Sequence, residues 1–389
     1  AGSVLLSGDF LIQEEDDLTI ADTTAGKDLT TAGTSGYISI STKNGTITIP
    51  GYVEAAGANG DIVIVATNSG NTADVKLTMP DGNKLVSVNG SVGISVGDAY
   101  SQGQYSHIEA GNSESVIVNA TNATGSITMA DGSSIATNGG KVVLSAEGQI
   151  QVSRINTGSS GQVWLGSNGS ITDAGTAYGD ENINTGDLDL YAGGNIATAS
   201  DALEIEAVKL STYSGGIGAT AGTYLLEATD ISVEPISLST SVGFTGGASI
   251  LSVTETAEDL DSAGNLVLRT INGGIFVVDG VDGSIYAVEA DGHILLDANS
   301  TSASANITLT GIVARAPTGS ISIIADSDIV LDSTSVIAGT FSGATQHIFV
   351  DTGNDLEMKG TSESAIVSLA GNVRIVAGAN AAIGWVEAT

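Results

Sequence analysis

Four pieces of sequence decide how this chain is read: Gly140-Lys-Val-Val-Leu144, Gly148-Gln-Ile-Gln-Val152, Gly161-Gln-Val-Trp-Leu165 and Gly169-Ser-Ile171. Each is a glycine followed by residues pointing alternately outward and inward, the two-residue period of a β-strand. The pieces begin at 140, 148, 161 and 169, so steps of 8 and 13 alternate and like returns to like after 21 residues. A helix, with its period of 3.6, does not place apolar residues this way.

Outward from this stretch the pattern continues. Like pieces begin at 186 and 194, then at 319 and 327, at 346 and 354, and at 371. A repeat of 21 to 27 residues built of short strands is one coil of a β-solenoid. The register predicts one inward column of Val116, Val142, Val163 and Leu188, with Val118, Leu144, Leu165 and Leu190 beside it. Ile127, Ile150, Ile171, Ile196 and Ile217 form a second column. Toward the C-terminus Ile321, Ile348 and Val373 stack, with Ile323, Val350 and Ile375 alongside. The expected fold is therefore all-β, one solenoid over residues 1–389, with ~17 coils at roughly 23 residues each.

Composition agrees. Fifty-two glycines and four prolines suit many tight corners, and aromatics at 4% suit a narrow aliphatic core. Hydrophobic residues reach 41% in strict pattern, which argues against disorder. The net charge of −33 argues against nucleic acid and anionic lipid as partners. There is no cysteine, so the chain is no small disulfide scaffold. No run of 18 apolar residues occurs, so membrane insertion by a helix is not expected. No signal peptide is recognisable, and Ala1 is read as a mature terminus or as the start of a piece of a longer protein.

Taken in order, residues 1–30 differ from the rest. Val4, Leu5, Leu6, Phe10, Leu11 and Ile12 are strongly apolar and precede Glu14-Glu-Asp-Asp17. They read as a first coil or end cap, or as a segment that docks on another subunit. The rhythm loosens over 66–113 and again over 218–262, where surface loops are expected. Tyr100, Tyr105 and His107 lie in the first of these, in a polar stretch from Asp98 to Gly111. That stretch is either a plain corner or a protruding loop whose tyrosines stack on a sugar ring. The chain ends at Trp385-Val-Glu-Ala-Thr389 with no amphipathic cap. An open coil end invites association, so the expected partner is another copy joined end to end or a further segment of a longer chain.

Pieces such as Gly194-Asn-Ile-Ala-Thr-Ala-Ser-Asp-Ala-Leu-Glu-Ile-Glu-Ala207, Gly186-Asp-Leu-Asp-Leu190 and Gly319-Ser-Ile-Ser-Ile323 resemble filamentous-haemagglutinin-type bacterial exoproteins. The resemblance covers most of residues 30–389. It implies a right-handed parallel β-helix, secreted or held at the cell surface, acting as an adhesin or fibre. Its partners would be surface glycans or receptors on host or partner cells. The Asn-Pro-Asn type secretion signature and a C-terminal membrane barrel are not found, so the resemblance assigns no export route.

Candidate chemistry is sparse. Enzymatic β-helices need clustered carboxylates and a basic group facing the substrate. The nearest constellation is Asp326, Asp328 and Asp332 with Arg315. Stacked carboxylates are expected on any acidic solenoid, so no catalytic residue is assigned. His107, His293 and His347 are far apart in sequence, and the latter two occupy the same outward strand position. A 27-residue register places Asp328 over Asp355 and Asp332 over Lys359. Two carboxylates in adjacent strands are either solvated or bridged by a cation with oxygen ligands, which makes Asp328 and Asp355 a candidate calcium site. The function that follows is a non-enzymatic extracellular structural rod of the adhesin or fibre type. The alternatives are a self-assembling subunit of a filament, sheath or surface layer, and a carbohydrate-active enzyme.

Overall fold

The computed structural model describes residues 4–20, 27–33, 36–66, 76–175, 181–215, 221–243, 249–279, 286–300, 305–339, 346–360 and 364–389. Among these there is no helix, and parallel strands stack into a β-solenoid of about 12 turns. That is fewer coils than the repeat length suggested, because many coils are longer than the most regular stretch. Ile62 to Val92 is an advance of 30 residues, whereas Val142 to Val163 is 21. The residues group into two compact units, one of 1–178, 182–187 and 238–255, the other of 179–181, 188–237 and 256–389.

In the first unit every coil contributes three strands, one to each of three parallel faces. Face A starts at Val4–Leu6 and continues through Lys27–Thr31, Tyr52–Ala55, Lys84–Ser87, His107–Asn112 and Ser134–Asn138 to the first residues of Arg154–Ser167. Face B runs through Phe10–Glu14, Ile38–Thr42, Ile62–Ala66, Val92–Val96, Ser115–Ala120 and Lys141–Ala146 to the end of Arg154–Ser167. Face C is a sheet of 7 strands from Leu18–Thr19 to Ile171–Asp173.

The interior columns are those the register predicts. Ile38, Ile62, Val92, Val116, Val142 and Val163 stack on face B, with Ile40, Ile64, Ile94, Val118, Leu144 and Leu165 beside them. Leu77, Tyr100, Ile127, Ile150 and Ile171 fill face C. All are buried, so each coil's apolar half-strand is covered by the coils above and below it.

The second unit repeats the arrangement. Leu266, Ile294, Ile321, Ile348 and Val373 share one column, with Leu268, Leu296, Ile323, Val350 and Ile375 alongside. Ile275, Ile307, Ile329 and Leu356 form a second. Ile217 lies outside the described residues, and Ile196 bridges Thr223 rather than an isoleucine of the next coil.

The glycine that opens so many units has a packing reason. A Cβ added at Gly140, Gly264, Gly319 or Gly371 would fall inside the carbonyl oxygen of Glu114, Ala221, Gly292 or Gln346, one coil back. Coils can stack at strand spacing only if that corner carries no side chain.

Two stretches expected to be irregular behave differently. Residues 76–112 keep the stacking register throughout, so the supposed loop from Asp98 to Gly111 is largely the strands Ala99–Gln102 and His107–Asn112. Between Ile231–Val233 and Leu260–Ser262, by contrast, the chain leaves the coil pattern. There Ile236–Gly243 and Ser249–Ala257 form a separate sheet of 2 strands.

Candidate functional site

Residues 238–255 of that two-stranded sheet belong to the first unit and act as a strap over the outside of face B. The outward residues of face B fall in register as Ser39, Val63, Gly93, Ile117, Val143 and Trp164. Outward positions of a solvated sheet are normally polar. Here Val63, Ile117 and Val143 are buried because Leu238 and Val242 of the strap pack on them, with Val253 and Trp164 at the margin. Polar contacts hold the strap's edge. Lys141 Nζ donates to the Ser239 carbonyl at 2.7 Å, and the hydroxyls of Ser115 and Thr240 lie 2.7 Å apart.

Beside this contact a cavity of about 360 Å³ remains. Its floor is Ile117, Asn119, Val143, Ser145 and Trp164, and its other wall is Ser252, Val253, Thr254 and Glu255. The indole of Trp164 lies over Gly166, where an added Cβ would fall within the ring. Glycine at 166 therefore lets the ring lie flat on the sheet. The Asn119, Ser145, Ser252 and Glu255 side chains make no hydrogen bond within the described residues, whereas the Thr254 hydroxyl meets that of Ser239 at 3.2 Å. The sequence did carry the signal. An apolar residue stood at the outward position in coil after coil, but the inward columns alone were read.

The residues singled out from sequence are placed as follows. Tyr100 is not on a loop and presents nothing to a ligand. It is fully buried on face C, its hydroxyl 3.1 Å from Gln102 Oε1, because the alternation of Ala99–Gln102 turns it inward. Burial pushes its hydroxyl well above the usual tyrosine range. Tyr105 is 73% exposed, at a corner with φ of 57°, and its ring lies against Gly132. His107 sits on face A, Nδ1 2.7 Å from Ser134 Oγ and Nε2 3.3 Å from Glu109. Only Tyr105 of the two tyrosines is open to a partner.

Asp328 and Asp355 do stack in register, one coil apart, next to the paired Ile329 and Leu356. Their carboxylates belong to a ladder of hydrogen bonds. Asp328 N–H donates to Asn306 Oδ1 at 3.0 Å, Asp355 N–H to Asp328 Oδ1 at 3.1 Å and Asn380 N–H to Asp355 Oδ1 at 2.9 Å. The histidines form a second ladder. His293 N–H donates to Asn265 Oδ1, Ser320 N–H to His293 Nδ1, His347 N–H to Ser320 Oγ and Asn372 N–H to His347 Nδ1, all within 2.9–3.1 Å. Among the described residues no three His, Cys, Asp or Glu gather as metal ligands.

The proposed carboxylate constellation does not converge. Arg315 bonds Glu289 at 2.9 Å and lies over the Tyr286 ring, because the register sets Glu289 beside it. Asp326 instead accepts the Ser300 N–H at 3.0 Å, and Asp332 lies in register with Lys359. A different carboxylate stands out. Asp261, next to Glu289 in register, is pushed up to about 6 by burial and by the charges of Glu289 and Asp291. Tyr213, its neighbour on the other side, stacks on Tyr191 with ring centroids 5.0 Å apart.

The end coils are open. Phe10 and Ile12 are half-buried where their register partners Ile38 and Ile40 are fully covered, while Leu11 points outward at 72% exposure. Leu6 is half-buried too, and the Val4 and Leu5 side chains lie outside the described residues. At the other end Val373 and Ile375 are half-buried, and Ile383 and Trp385 are 51% and 54% exposed beside a groove of about 630 Å³.

No family model, no curated protein and no solved structure matches this chain. What stands is a β-solenoid repeat protein whose outer surface carries hydrogen-bond ladders, an apolar strap and one cavity beneath it.

Proposed function

We propose that the chain is a non-enzymatic structural solenoid of a secreted or cell-surface protein, of the adhesin or fibre type implied by the filamentous-haemagglutinin resemblance. One observation carries the reading. The outward polar groups that looked chemical in the sequence, Asp328, Asp355, His293 and His347, each bond the backbone of the next coil. They serve stacking, as the side chains of a load-carrying repeat would. The net charge of −33 supports a partner that is neither nucleic acid nor anionic lipid. Immuno-electron microscopy of producing cells, with adhesion of protein-coated beads to other cells, tests this. Label at the surface and saturable bead adhesion are expected. Label confined to the cytoplasm would sink it.

A second reading has its own observation. Phe10 and Ile12 at one end and Val373, Ile375, Ile383 and Trp385 at the other leave core side chains half-covered or exposed. Wet core and unpaired strand groups are both relieved if another coil docks there. That coil belongs to a second copy or to further residues of the same chain. Light scattering across a concentration series, with Phe10→Ser and Trp385→Ser, separates these. Association weakened by both substitutions supports end-to-end contact between copies, and concentration-independent monomer removes it.

A further inference from the structure

We propose that the cavity under the strap binds one neutral hexopyranose ring. The inference does not rest on the adhesin reading, since a solenoid of any role could hold a sugar here.

Four features choose the ligand class. First, Trp164 lies flat over Gly166 and lines the cavity floor. An aromatic face takes a flat, partly apolar partner, and the axial C–H face of a pyranose is one. Second, the rim is a ring of donors and acceptors with nothing to bond. Asn119 offers an amide, Ser145 and Ser252 hydroxyls and Glu255 a carboxylate, none hydrogen-bonded within the described residues. Elsewhere on this surface comparable groups are engaged. Asn122 donates to Asp98 at 2.6 Å and Asn138 to Asn112 at 2.7 Å. Groups left open around an apolar floor suit a ligand with several hydroxyls. Third, the cavity is about 360 Å³, at the low end of the ~300–1,000 Å³ of ligand sites, so one ring with water fits and a longer chain does not. Fourth, the only ionisable group lining it is Glu255, on a chain of net charge −33, which rejects phosphate, uronate and sialate. A quaternary ammonium would want a cage of aromatic rings, and this floor has one.

The strap gives the site a stated construction. Residues 252–255 supply one wall and face B the other, while Leu238 and Val242 pin the strap beside the cavity without lining it. Ligand and apolar anchor are thus separate, and the rim can be changed without removing the anchor.

The test uses the full chain. It has two tryptophans, so Trp385→Phe leaves Trp164 as the sole indole reporter. This variant is titrated with methyl α-D-mannopyranoside, methyl β-D-galactopyranoside and methyl β-D-glucopyranoside, and with glucuronate and choline as contrasts. A saturable change in Trp164 emission is expected with at least one methyl pyranoside, at a Kd on the order of 1 mM, and none with the contrasts. Asn119→Ala and Glu255→Gln should each weaken it by about tenfold or more, with the far-UV circular dichroism unchanged. The same titration with oligosaccharides ending in the responsive sugar tells a free sugar from a glycan terminus. No response to any of the pyranosides overturns the proposal. So does an equal response to glucuronate or choline, or a response that both rim substitutions leave intact. Bead adhesion can fail while this binding persists, and the reverse, so the two readings fail separately.

Discussion

The backbone N–H of Asp355 donates to Oδ1 of Asp328 at 3.1 Å, and Asp355 in turn accepts from Asn380 through both backbone N–H and side-chain Nδ2. Two carboxylates one coil apart thus tolerate each other because each faces an N–H dipole. A cation and the ladder make different predictions. On the ladder account Asp328→Asn keeps the acceptor and removes a like charge, so stability should hold or rise slightly. Asp328→Ala leaves the Asp355 N–H without that acceptor and should cost about 1 kcal/mol. If calcium bridges the pair, chelator lowers the melting temperature of the parent and not of Asp328→Asn. Thermal melts of all three proteins with and without chelator decide it.

Glu227 should make stability fall with rising pH. It is fully buried and accepts from Ala207 N–H and Thr229 N–H, yet burial outweighs those bonds and pushes it up to about 8 from a usual 4.5. Between those values the unfolded chain has released the proton and the folded one holds it. The sign is therefore destabilising as pH rises, by up to ~1.4 kcal/mol per pH unit, and the contribution is fully present only below pH 4.5. Asp261, raised to about 6, acts in the same direction. Denaturant melts from pH 4 to 9 should show the decline, and Glu227→Gln should flatten most of it. A flat parent profile would mean that water or a cation reaches Glu227.

Core and corner can be probed separately. Leu165→Ala empties one position of a closed column and should cost roughly 2–5 kcal/mol. Gly319→Ala should also destabilise, although it adds only a methyl to a surface corner, because that methyl meets the Gly292 carbonyl. Equal stability of Gly319→Ala and the parent in urea melts would show that the corner can open.

Most of the solenoid was legible because its information is periodic. Val116, Val142 and Val163 are in register, as are Ile321, Ile348 and Val373, since a one-residue slip would turn every apolar side chain outward. Tyr100 was misread because polar neighbours hid an ordinary inward position. Coil number was overestimated because long coils such as Ile62 to Val92 keep register while adding corner residues. The strap could not be read at all. Its contact joins Leu238 and Val242 to Val63, Ile117 and Val143, and no repeat links residues so distant in sequence. Arg315 likewise chose Glu289 through stacking, where nearness in sequence favoured Asp326 and its neighbours.

The strap supplies the last prediction. Val63, Ile117, Val143 and Trp164 make a continuous outward apolar strip on face B, and Leu238 and Val242 are the strap residues buried against it. Neither belongs to an interior column of the solenoid. Leu238→Asp with Val242→Asp places two carboxylates where no cation or donor is printed to meet them, and a buried unpaired charge costs more than this contact contributes. The strap should therefore lift while the coils stay stacked. In the Trp385→Phe background Trp164 emission should shift to the red, a hydrophobic dye should bind, and the far-UV circular dichroism should change little. The uncovered strip is flat and apolar, so the double variant should also self-associate at concentrations where the parent does not. An unshifted Trp164 spectrum in a folded double variant would show that the strap does not cover face B in solution. Loss of the solenoid itself would show that the strap is part of the core rather than a cover on it.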